Sequence, residues 1–308
     1  MNNKVIVIAG PTATGKTALS VRLAKEMNAE IISADSIQIY KKLNIGSAKP
    51  EKSEMQGIPH HLMDFLEPDS TYSVADYVKD AKEKINEILS KGKTPIITGG
   101  TGLYISSIVD NVEFSASEVD TTVRDRLSEE LKALGIDAMY ERLKSIDPDS
   151  AKDIHPNNTK RVLRALEIYE TTGKTKKEQN DLSKLKKSPF DFCLVGLNCE
   201  RELLYERINK RVDIMFDNGL FKEVDDLLLS GVSKDAQSMQ GIGYKEVVMA
   251  LLGEITKDEC KELIKKNSRN YAKRQLTWFK RGGYQWFDCL DDELYEKVSK
   301  HIGEFLYE

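Results

Sequence analysis

Apolar and polar positions follow two rhythms along this chain. Residues 4–9, Lys-Val-Ile-Val-Ile-Ala, form a short, nearly continuous apolar run rich in β-branched side chains, which predicts a buried strand. Leu19, Leu23 and Met27 then recur on one helical face. Ile31 and Ile32 predict a second, short strand. Val74, Tyr77, Val78, Ala81, Ile85, Ile88 and Leu89 form the apolar stripe of a helix from Ser73 to Lys91, stopped by Gly92. Pro95-Ile96-Ile97-Thr98 is the next strand. Strand and helix alternate, so the fold class is α/β, a parallel sheet with helices on both faces. Ligands in such sheets sit at the carboxyl ends of the strands.

The rhythm changes from about Ser115 to Lys187, where only helical signals occur. Val123, Leu127, Leu131 and Leu134 share a face that ends at Gly135. Asp147-Pro148 starts another helix, and Asn158 caps a third that carries Val162, Leu166 and Tyr169 before Gly173. The polar, lysine-rich stretch Lys174 to Lys187 predicts an irregular connection. Phe192 to Leu197 is strand-like again, and helices are expected from there to the C-terminus, one with Leu204, Ile208, Val212 and Met215 in register. The economical organisation is an all-helical insertion domain, residues 115–187, inside an α/β core made of 1–114 and 188–308 with C-terminal helices. There is no internal repeat.

The link between the first strand and its helix carries the clearest chemistry. Gly10-Pro11-Thr12-Ala13-Thr14-Gly15-Lys16-Thr17 has the spacing of a phosphate cradle, or P-loop. The glycines let backbone amides approach an anion at the positive end of the helix. Lys16 adds a full charge, and the Thr17 hydroxyl can hold Mg²⁺. The loop implies a diphosphate or a nucleotide triphosphate such as ATP, without saying which molecule carries the phosphates.

Asp35-Ser36-Ile37-Gln38 follows the second strand, so Asp35 faces the phosphate site as a general base or a ligand to Mg²⁺ or its waters. Asp and Ser there also suit a helix N-cap. Gly99-Gly100-Thr101-Gly102 places a hydroxyl at another strand end. His60-His61 follows Pro59 and reads as a structural turn, because adjacent side chains point apart. Arg207 and Arg211 share a helical face, and either can close over phosphates.

Composition narrows the class further. The chain has 308 residues, 40% hydrophobic and 31% charged, with net charge −4, as in an ordinary soluble protein. No stretch approaches the roughly 20 apolar residues of a membrane span. The opening apolar run leads straight into the phosphate loop, so no secretory signal is expected. Cys193, Cys199, Cys260 and Cys289 form no CxxC pair, which argues against zinc and for a reducing cytoplasmic compartment. Against the acidic whole, Lys261 to Arg281 holds eight Lys or Arg and one Glu, interleaved with Tyr271, Trp278 and Phe279. That pattern suits phosphates plus unpaired bases, or an amphipathic helix with its aromatics inward.

With these pieces in place, the chain resembles the bacterial tRNA dimethylallyltransferase family. The resemblance rests on GPTATGKT at 10–17, DSIQIY at 35–40, IPHHLMD at 58–64, GGTGLY at 99–104, HPNNTKRVLRALE at 155–167, QGIGYKE at 240–246 and YAKRQLTWF at 271–279. It implies that the loop, Gly10 to Thr17, holds dimethylallyl diphosphate with Mg²⁺ at Thr17. N6 of the adenosine beside the anticodon then attacks the allylic carbon. Asp35, Thr101 and Arg211 are the implied catalytic residues. The implied contacts to the tRNA anticodon stem-loop are Asp35, Ser36, Ile37, Gln38, Thr101, Arg124, Arg161, Arg164, the run Gln240, Gly241, Ile242, Gly243, Tyr244, Lys245, and the run Lys273, Arg274, Gln275, Leu276, Thr277, Trp278, Phe279, Lys280. A monomer of the shorter bacterial type is expected, since no Cys pairs of a zinc finger are present. A small-molecule kinase with the same loop, an isopentenyltransferase acting on free adenine nucleotide, and a non-catalytic RNA-binding protein remain as alternatives.

Overall fold

A computed structural model describes residues 3–112, 121–183 and 187–307. The strands are β1 (Lys4–Ala9), β2 (Ala29–Ala34), β3 (His60–His61), β4 (Thr94–Gly99), β5 (Asp191–Asn198) and β6 (Gln285–Asp288). The helices are α1 (Lys16–Glu26), α2 (Lys52–Met55), α3 (Val74–Ser90), α4 (Gly102–Val109), α5 (Thr121–Ile146), α6 (Pro148–Asp153), α7 (Thr159–Thr172), α8 (Lys176–Ser183), α9 (Arg201–Asp217), α10 (Leu220–Leu229), α11 (Tyr244–Leu251), α12 (Lys257–Phe279) and α13 (Leu294–Tyr307). Two compact units result, residues 1–109 with 189–308, and residues 110–188. The expected boundary at 114/115 lies outside the described residues.

The first unit holds a six-stranded sheet in the order β3-β2-β4-β1-β5-β6, with every pairing parallel. β1 is central and its side chains alternate between faces. Val5, Val7 and Ala9 join one core with α3, α4, α10 and α11, while Ile6 and Ile8 join a second with α1 and α13. All five are fully buried. Removing each of the four Val and Ile side chains from water stabilises the fold by about 1.5–3 kcal/mol. β1, β2 and β4 end together, because Ala9 and Ala34 are both in register with Gly99. The loops that follow these strands therefore converge at one edge.

Several boundaries differ from the sequence reading. The second strand spans Ala29–Ala34 because tertiary pairing with β4 recruits the small residues around Ile31 and Ile32. His60-His61 is a two-residue edge strand, not a turn, and His61 Nε2 meets the buried Glu30 carboxylate at 2.7 Å. Lys174–Lys187 contains α8; Thr175 and Glu178 cap it reciprocally, at 2.8 Å and 3.3 Å. The C-terminal part is not all helix, since β6 adds beside β5. Among the described residues, no helix is long and apolar enough to cross a membrane.

The second unit is helical and packs Leu127, Met139, Leu143, Val162 and Leu166 together. Gly135 breaks α5 at φ 78, and Asp147 and Asn158 accept the N-terminal amides of α6 and α7. Arg124 and Arg164 both pair with Glu167, each at 2.9 Å, while Arg161 is exposed. One carboxylate thus offsets part of the charge of the first two arginines.

Candidate active site

The phosphate loop stands between β1 and α1. Thr14 Oγ1 and Lys16 Nζ both donate to the Pro11 carbonyl, at 2.9 Å and 2.6 Å. Ala13 takes the left-handed conformation, φ 66, a strain of the kind that clusters at functional loops. Arg211, on α9, donates from Nη1 to Thr12 Oγ1 at 3.2 Å. Arg207, one turn earlier, instead faces Cys289 Sγ at 3.4 Å, so Arg211 is the arginine that reaches the loop. Desolvation pushes Lys16 down to about 7; the Arg211 charge adds to this and Asp35 opposes it. Desolvation likewise lowers Arg211, against Asp35 and Glu54, though a guanidinium stays charged. Two partly buried cations with few anions beside them can hold an anionic group such as a phosphate.

The Asp35 charge acts on both of these cations, and Thr101 is tied to the turn that follows Asp35. The Asp35 carboxylate accepts the Ile37 and Gln38 amides at 2.9 Å and 3.2 Å through Oδ1 alone. It therefore caps a turn rather than a helix, and it lines the cavity. Thr101 Oγ1 accepts the Ser36 amide at 3.1 Å, and the Thr101 amide donates to Ala34 at 3.1 Å. The Gln38 side chain is engaged by the carbonyls of Ser47 and Ala48, both at 3.2 Å. Asp35 and Gln38 share one cavity of about 680 Å³ with Lys16, Thr17 and Arg211, whereas Thr101, expected in the site, stands just behind its lining, tied to it through the Ser36 amide.

Two residues matter here in ways the sequence did not suggest. Gln275 Oε1 accepts the Thr12 amide at 3.0 Å, and its Nε2 donates to the Gly100 carbonyl at 2.9 Å. It ties the phosphate loop to the Thr101 loop, and a Cβ on Gly100 would lie 2.1 Å from that Nε2. Tyr271 reaches the same carbonyl at 3.4 Å, and desolvation next to the Asp35 charge raises it to about 12. The signal for both was their i, i+4 spacing on the inner face of α12.

The sequence profile of the IPP transferase family matches residues 38–282. The chain belongs to the IPP transferase family. This IPP transferase is 49% identical over 308 residues to a protein of Thermoanaerobacter sp. strain X514 named tRNA dimethylallyltransferase, covering 98% of this chain and 97% of the relative. A Clostridioides difficile protein of the same name is 50% identical over 305 residues, covering 98% and 96%. Among solved structures, the full-length tRNA isopentenylpyrophosphate transferase of Bacillus halodurans matches with a TM-score of 0.75 at 41% identity, covering 99% and 97%. A eukaryotic dimethylallyltransferase acting on tRNA matches with a TM-score of 0.81 at 32% identity, covering 98% of this chain and 78% of that one.

In this IPP transferase, not every residue expected to touch RNA is available to do so. Tyr244 is fully buried; its hydroxyl donates to Glu223 at 2.8 Å and accepts the Ser47 amide at 3.2 Å. Phe279 is buried in the core and edge-on to Tyr284. Gln275 and Gly241 are buried but line the cavity, Gly243 is buried, and Leu276 packs against the cluster of Leu204, Ile208 and Ala272. For Tyr244, Gly243 and Phe279 these are corrections; Phe279 lies on the inner face of the amphipathic α12, and Gly243 and Tyr244 form the buried start of α11. Gln240, Lys245, Lys273, Arg274, Thr277, Trp278 and Lys280 are exposed, and Ile242 lines the cavity.

Proposed function

We propose that this IPP transferase moves the dimethylallyl group of dimethylallyl diphosphate to N6 of the adenosine 3′-adjacent to the anticodon of tRNA. The observation that carries the reading is one cavity that brings the desolvated Lys16 and Arg211 together with the Asp35 carboxylate. An allylic diphosphate fits such a cavity with its anion on the cations and its reacting carbon within reach of Asp35. Ile208, Val212, Met215 and Ile264 supply apolar lining for the prenyl tail.

The N6 lone pair attacks the allylic carbon, the carbon–oxygen bond breaks, and diphosphate leaves. Lys16, Arg211 and the loop amides stabilise the charge that builds on the leaving oxygens. The outer oxygen of Asp35 takes the N6 proton, while its inner oxygen stays bound to the Ile37 and Gln38 amides. Thr101, pinned by the Ser36 amide, positions the reacting groups beside it. Among the described residues, no group of three or more His, Cys, Asp or Glu could hold a metal ion. The oxygen donors Thr17 and Asp35 nevertheless suit Mg²⁺ bound together with substrate phosphates. When bound, Mg²⁺ supplies further neutralisation of the diphosphate. A monomer suffices for this reading, since every group it uses belongs to one compact unit.

The test is transfer from labelled dimethylallyl diphosphate and Mg²⁺ to unmodified tRNA, with AMP and ATP as competing acceptors and Asp35→Asn alongside. Label enters tRNA alone and falls by at least a hundredfold in the variant. Label on free nucleotide, or ATP consumption without label transfer, refutes the reading.

A further inference from the structure

The basic run on α12 divides into two parts that the sequence does not separate. In its first part Lys266 is exposed, but the other three cations are tied to α9. Lys261 and Lys265 pair with Asp213 at 2.8 Å and 3.0 Å, and Arg269 donates to Asn209 at 2.6 Å. Its second part, Lys273, Arg274, Lys280 and Arg281, is exposed, and among the described residues none of these four makes a salt bridge. In their midst Trp278 leaves 42% of its surface in solvent, and Leu103 of α4 leaves 48%. A half-exposed indole thus stands among four cations without carboxylate partners, Arg274 lying over the Tyr271 ring at 5.6 Å.

The indole is also seated. A Cβ on Gly102 would lie 2.5 Å from Cδ1 and 2.9 Å from Nε1 of Trp278, so the ring rests against a backbone that only glycine leaves open. Gly102 directly follows Thr101, and Arg274, one helical turn before Trp278, lines the cavity. The exposed ring thus begins at the rim of the reactive cavity and is held in place before any partner arrives.

We infer that Trp278, flanked by Leu103, is a stacking ledge for the nucleobase that neighbours the extruded adenosine. The inference rests on the function proposed above and names the base contact for it. Extruding an adenosine unstacks its neighbour and leaves an apolar face exposed to water. A preseated indole recovers that stacking at little ordering cost, for any base, and the surrounding cations meet the adjoining phosphates.

The experiment uses the full chain and anticodon stem-loops that are intact or carry an abasic nucleotide on either side of the target. Trp278→Ala raises the KM for intact RNA by about tenfold, within the range of one base–aromatic stack, without raising the donor KM. One of the two abasic RNAs is weakened by a similar factor with the unaltered protein and is weakened no further by Trp278→Ala. Trp278→Phe retains most of the affinity for intact RNA. In a Trp286→Phe background, Trp278 is the remaining tryptophan, and its emission is quenched by the intact stem-loop but not by that abasic one. An equal effect of Trp278→Ala on all three RNAs, or unchanged emission while RNA binds, overturns the ledge. Prenyl transfer to the intact stem-loop by the unaltered protein is scored separately, so failure of the ledge and failure of the enzymatic reading are distinguished.

Discussion

Gln275→Leu separates a structural account of α12 from an RNA-contact account. The side chain is 5% exposed and carries two short hydrogen bonds, from the Thr12 amide at 3.0 Å and to the Gly100 carbonyl at 2.9 Å. Leucine has nearly the same volume, so packing is kept and both bonds are lost. The Gly100 carbonyl retains only the long contact from Tyr271 at 3.4 Å. An unpaired buried donor or acceptor costs about 1–3 kcal/mol. The nearby cavity admits water, which favours the low end, so the total is about 2–3 kcal/mol.

Part of that cost falls on catalysis. The Thr12 hydroxyl holds Arg211, and the freed Thr12 amide no longer fixes that hydroxyl. If about half of the cost appears in donor binding, the KM for dimethylallyl diphosphate rises roughly tenfold, since 1.4 kcal/mol is a factor of ten. The KM for tRNA is unchanged, because the residues of α12 that face solvent are untouched. Steady-state kinetics with each substrate varied in turn reads both values, and thermal unfolding reads the stability loss. An unchanged donor KM with a weakened tRNA KM would refute the tie and return Gln275 to the RNA surface.

Three further outcomes follow from the same geometry. Gly100→Ala drives a Cβ to within 2.1 Å of Gln275 Nε2, so it reproduces the donor defect; combined with Gln275→Leu in a double-mutant cycle, the two effects are less than additive. Arg211→Lys loses the planar donor pair facing the loop and raises the donor KM by at least tenfold, whereas Arg207→Lys, directed at Cys289, changes it by less than threefold; kinetics of the two variants side by side checks this. Lys16 has a folded pKa of about 7, below its usual 10.5, so between those values the unfolded chain holds the extra proton and this group makes stability rise with pH. The donor needs the protonated amine, so its binding weakens above about pH 7 and is accompanied by proton uptake; calorimetry in buffers of different ionisation enthalpy that shows no uptake at pH 8 would overturn this.

What the sequence made legible was whatever depends on local chemistry. The glycine spacing of 10–17, the cap at Ser73 and the stop at Gly135 are each decided by a few adjacent residues, and each stands in the fold where the spacing put it. β6 was hidden because four residues after Gly282-Gly283 carry too little periodicity, and their strand identity comes from pairing with β5. The inner face of α12 was hidden for a related reason. Glutamine and tyrosine are ordinary surface residues until two loops from distant parts of the chain arrive with an amide and a carbonyl to satisfy. Tyr244 is the sharpest case. It lies within a motif of the family resemblance, but Glu223 holds the amides of Asn44, Ile45 and Gly46 as well as the Tyr244 hydroxyl. The tyrosine thereby shapes the loop that carries the Gln38 partners Ser47 and Ala48. A motif can therefore mark a residue needed for the site without marking one that touches the substrate, and only burial and hydrogen-bond partners distinguish the two.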